Sequence, residues 1–113
     1  MTLDFRALQQ PSMECILLDE ANTVIHVGVP KQGAVRKLEA LRNDFIAMRG
    51  KKLDISAEHK AYDAIAEIMS INEEGLKISG KELKTKYRLN LMHLLAFEQA
   101  YLEFIGGIKS AKN

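Results

Sequence analysis

Polar and apolar positions alternate near the start of the chain and then repeat every three or four residues. That change of period predicts a β-hairpin followed by helices. Met13, Cys15 and Leu17 flank Glu14 and Ile16, and Ile16 and Leu18 make the second face apolar as well. The polar stretch Asp19-Glu-Ala-Asn22 follows, then the β-branched run Thr23-Val-Ile-His-Val-Gly-Val29, which ends at Pro30. Two such runs joined by a short turn read as a hairpin over 12–30. A hairpin alone is only marginally stable, so it needs something to pack against.

Helices supply that partner. From Gly33 to Met48, Val35, Leu38, Leu41 and Phe45 form one stripe, with Arg36, Lys37, Glu39, Arg42 and Asn43 opposite. Arg49-Gly-Lys-Lys52 suits a helix end, with Gly50 as cap and cations at the negative end of the dipole. Ser56 is the expected N-cap of a second helix reaching Asn72, with Ala61, Ile65, Ile68 and Met69 inside and Asp63 and Glu67 outside. Asn72-Glu-Glu-Gly75 is a break, and Ser79-Gly-Lys-Glu82 has the form of a capping box opening a short helix to Arg88.

The segment from Leu89 to Ile105 is apolar almost all round a helical wheel, with Asn90, His93, Glu98, Gln99 and Glu103 as its polar residues. Such a helix is either the centre of a bundle or partly covered by another subunit. Gly106-Gly107 is expected to stop it, leaving a polar tail at 110–113. The fold expected is α+β and mainly helical. It is a single domain over 1–113, with the N-terminal hairpin at 12–30 followed by three to four helices over 33–109.

Composition narrows the function classes. The 113 residues carry a formal charge of +1, which lacks the basic excess of a nucleic-acid-binding domain. The start has no basic segment leading into an apolar core, and no run has the length of a membrane span, so a cytoplasmic location is expected. Charge is uneven: residues 31–60 hold eight cations and four anions, read as a solvated helix face or, alternatively, a docking patch. His26, His59 and His93 lie in different elements without a zinc spacing, so no metal is expected. His93 reads as a hydrogen-bonded core or interface histidine. Cys15, in an apolar strand, reads as an inert small hydrophobe. No glycine-rich phosphate cradle occurs. A helix-turn-helix parse of 79–105 would make the most apolar helix the reader of bases, which argues against it. The expectation is a non-enzymatic protein with no cofactor and no small-molecule substrate.

In length, order of elements and texture the chain resembles the small tail assembly chaperones of long-tailed phages and prophages of Gram-positive bacteria. The features that carry this are Leu3-Asp-Phe5, the hairpin, the two amphipathic helices, and above all Phe97-Glu-Gln-Ala-Tyr-Leu-Glu-Phe-Ile105, similar to an F-x-x-A-Y-x-x-F-I ending. The resemblance implies a transient coat on the tape measure protein, keeping its apolar helices soluble until tail tube protein polymerises around it. Self-association of protomers along the rod is implied too. A chaperone for apolar helices needs apolar surface of its own. Leu91, Leu94, Leu95, Phe97, Tyr101, Phe104 and Ile105 are the candidates for that face, with an intramolecular core as the alternative. The family commonly makes a longer product by a −1 frameshift, and Ala111-Lys112-Asn113 can be encoded across a slippery A-AAA-AAC heptamer. A small cytosolic dimeric adaptor or regulatory domain has the same composition and remains the other reading.

Overall fold

The computed structural model describes residues 1, 3, 11–30, 32–47 and 55–111, with the backbone alone for 32, 44–47, 55 and 108–111. The chain forms a two-stranded antiparallel sheet, β1 (Met13–Ile16) and β2 (Val24–Val27), followed by four helices. These are α1 (Gln32–Ala47), α2 (Ile55–Met69), α3 (Gly80–Thr85) and α4 (Leu91–Ala111). The class is α+β and mainly helical, as the change of period implied.

The strand register pairs Met13 with Val27, Glu14 with His26, Cys15 with Ile25 and Ile16 with Val24. A carboxylate sets the turn. Asp19 accepts from the Thr23 backbone N–H at 2.7 Å and from its hydroxyl, while Asn22 takes a positive φ of 48°. Asparagine tolerates that left-handed conformation better than most residues. Ile25 and Val27 point inward and are fully buried. Beyond β2 the backbone of 71–73 adds a short third rung: Gly28 donates to Ile71 O at 2.7 Å and Glu73 to His26 O at 3.0 Å.

The most enclosed helix is α2. It packs against α1, α3, α4 and β2, and Ala61, Tyr62, Ile65, Ala66, Ile68 and Met69 are all buried. On α1, Ala34, Leu38 and Leu41 are buried, Val35 is half-buried, and Arg36, Lys37, Glu39, Arg42 and Asn43 are exposed. The expected stripe residue Phe45 and the Arg49–Lys52 cap lie outside the side chains described. Ser56 is inside α2, not its cap, since the helix already includes Ile55. The helix ends at Met69, short of Asn72, because side chains capture the backbone there. Ser70 Oγ accepts from Ile78 N–H, and Asn72 bonds Met69 O, Leu76 O and Leu76 N–H at 2.7–2.8 Å.

The Ser79 capping box forms with both reciprocal bonds present, and α3 closes at Thr85, before Arg88. Two expectations for the last helix are corrected. Gly106 and Gly107 do not stop α4, which runs on to Ala111 and takes in half of the presumed polar tail. A helical glycine costs only about 1 kcal/mol relative to alanine, and unbroken backbone hydrogen bonds carry the helix across the pair. Nor is α4 enclosed on most sides. Leu94, Phe97, Glu98, Tyr101 and Ile105 are buried, while Met92, His93, Ala96, Gln99, Ala100 and Glu103 are exposed.

Candidate functional site

The seven residues expected on a partner face divide in two. Leu94, Phe97, Tyr101 and Ile105 belong to the core of the chain itself, and Leu91, Leu95 and Phe104 are half-buried. Phe97 stacks on Tyr101 at 5.4 Å between ring centroids, and Phe104 tilts against Tyr101 at 5.9 Å. The Tyr101 hydroxyl donates to Gly28 O at 2.7 Å, joining α4 to the end of the hairpin. Burial pushes its phenol far above the ordinary tyrosine range, so it stays a donor. The aromatic ending therefore ties two parts of one fold together.

Exposed apolar side chains lie elsewhere. Ile16 is 63% exposed, Leu18 46% and Val24 39%. Ile16 and Val24 are cross-strand partners, and Leu18 continues the alternation of Ile16, so the three share the outer face of the hairpin. Arg88 reaches Leu18 O at 3.5 Å, which sets the turn end of the hairpin beside the start of α4. There Met92 is 72% exposed. The sequence carried the signal for this patch, because Ile16 and Leu18 break the polar face of β1.

A polar cluster occupies the other end of the same face. Glu74 holds His26 twice: Oε1 accepts from its backbone N–H and Oε2 meets its Nδ1, both at 2.7 Å. Glu14, opposite His26 in the register, brings Oε2 to 3.5 Å from Nε2. Hydrogen bonding to Glu74 raises the His26 pKa, helped by the charges of Glu74, Glu73 and Glu14. The same hydrogen bond lowers Glu74. The pairing of Glu14 with His26 was legible from the alternation. Glu73 and Glu74 read as ordinary turn residues, and 47 intervening residues hid their approach.

The remaining chemistry-bearing residues stay apart. His93 is hydrogen-bonded as expected but exposed, so it is not a core histidine. Its Nδ1 accepts from Asn90 N–H at 2.9 Å while Asn90 Oδ1 accepts from His93 N–H at 3.1 Å, so it completes a capping box for α4. His59 is exposed on α2. Burial and the nearby Glu14 charge push the Cys15 thiol up, away from the nucleophilic thiolate. Glu98 is 3% exposed, and its Oε2 has no hydrogen-bond partner. Burial raises its pKa, with the Arg42 charge opposing. No described helix is long and apolar enough to cross a membrane.

No protein family, curated protein or solved structure matches the chain.

Proposed function

We propose that this chain is a non-enzymatic tail assembly chaperone that binds apolar helices of a tape measure protein. What carries the reading is the exposed Ile16, Leu18 and Val24 patch on a chain with the texture of that family. Three neighbouring apolar side chains on one face of the hairpin give an amphipathic helix a surface to rest on. The client face then lies on the hairpin, and the 97–105 motif positions it through the Tyr101 to Gly28 bond. A second reading has its own observation. Leu91, Leu95 and Leu102 form a half-buried flank on α4 that suits a two-fold helix pair, and so a dimeric adaptor.

The test is co-expression with the tape measure protein encoded beside the gene, reading its soluble fraction. Wild type keeps the client soluble, and a doubly charged Ile16→Asp, Val24→Asp variant of unchanged thermal stability does not. If that variant protects the client as well as wild type, the hairpin is not the client face. A discrete dimer with no effect on client solubility moves the assignment to the adaptor.

A further inference from the structure

We propose that His26, Glu73 and Glu74 form a binding site for a divalent transition-metal ion of the zinc class, with Glu14 as the outer partner of the imidazole. One ligand atom from each of the three lies within 4.8 Å of the others, and among the described residues no other trio of His, Cys, Asp or Glu does this. The inference is independent of the chaperone reading.

Zinc–ligand bonds of about 2.0–2.1 Å in a tetrahedron put ligand atoms roughly 3.3 Å apart. His26 Nδ1 and Glu74 Oε2 now stand 2.7 Å apart with a proton between them. Exchanging that proton for a metal ion needs an opening of only about half an ångström. Glu73 Oε then closes the third corner by side-chain rotation, and water takes the fourth. The displaced proton leaves to solvent, and the imidazole keeps its other proton on Nε2. That N–H faces Glu14 Oε2 at 3.5 Å, the carboxylate–histidine–metal relay that fixes tautomer and ring orientation in metal sites.

The donors stand on a framework that is already set. Glu73 N–H is bonded to His26 O, and Glu74 Oε1 to His26 N–H, so loop and strand are in register before any ion arrives. Asn72 pins the same loop with three hydrogen bonds from its side chain. Electrostatics point the same way. Three carboxylates surround one imidazole, and a dication relieves their mutual repulsion once the imidazole is neutral. An imidazole in the donor set selects zinc-class ions over magnesium and calcium, which prefer all-oxygen shells. Bound metal would clamp β2 to the loop between α2 and α3.

The experiment uses the full chain without a histidine tag, titrated at pH 7 with Zn2+ alone against a chromogenic chelator. One Zn2+ per chain is expected. His26→Gln should weaken binding at least tenfold, and Glu14→Ala about tenfold through the outer shell. A His59→Gln, His93→Gln variant should bind as wild type. Side-chain 15N spectra of the wild-type protein give a readout that needs no variant: Zn2+ should shift His26, with metal on Nδ1 and the proton on Nε2. Zn2+ shifts at His59 or His93 in place of His26, no 1:1 binding, or equal competition by Ca2+ would each overturn the site.

Discussion

Replacing Tyr101 by phenylalanine separates the two roles open to the aromatic ending. The ring is fully buried and keeps its contacts with Phe97 and Phe104, so the change removes one hydroxyl and its bond to Gly28 O. A neutral hydrogen bond contributes about 0.5–1.5 kcal/mol net, and an acceptor left without its donor adds to the loss. Gly28 is only half-buried, so water can reach its carbonyl in part, which keeps the added term small. The sum is about 1–2 kcal/mol. For a domain of this size that is a fall in Tm of roughly 4–8 °C. Tyr101→Ala also empties the ring's place in the core and should cost about 3–5 kcal/mol. Urea unfolding gives the free energies, and light scattering run in parallel gives the assembly size. The core assignment requires lost stability with an unchanged assembly. Stability equal to wild type with a changed assembly would mean that the hydroxyl serves a partner and not the core.

Gly80→Ala should destabilise by about 1–2 kcal/mol despite alanine's better helix propensity, a sign to be checked by urea unfolding. Its Cβ would overlap Asp63 Oδ1 and come within 3.1 Å of Asp63 N and 3.2 Å of Tyr62 C. Asn90→Ala removes the reciprocal cap of α4 and should cost about 1 kcal/mol, with faster amide exchange confined to the first turn. Glu98→Gln should raise Tm, since it removes the charge of a buried carboxylate with an unpartnered oxygen; a lower Tm would show that the charge is needed. The His26–Glu74 pair gives stability a pH window. Raised His26 stabilises fully below its ordinary 6.5 and loses that as pH rises through its folded value, while lowered Glu74 stabilises above its ordinary 4.5. The pair therefore contributes most between those two values, and His26→Asn should flatten the Tm profile there. Finally, the codons for Ala111-Lys112-Asn113 should form the slippery heptamer with an open −1 frame beyond it, read directly from the gene.

The sequence by itself determined the elements. Alternation marked the hairpin, and the period of three to four marked the buried faces of α1 and α2. The short-range capping chemistry of Ser79 and Glu82 fixed the start of α3. These are local properties, set by neighbours within one or two turns. Tertiary structure alone decided which helix would be central. Hydrophobicity nominated α4, yet α2 became the hub, because α2 meets four elements and α4 buries a single face. It also decided that Phe97, Tyr101 and Ile105 are core and that an exposed apolar patch of Ile16, Leu18 and Val24 sits on the hairpin, with Met92 exposed at the start of α4. The gathering of His26 with Glu73 and Glu74 was tertiary as well, since it depends on a loop docking beside β2. Periodicity reports which face of an element is buried and never which other element covers it. That choice belongs to the packing of the whole chain.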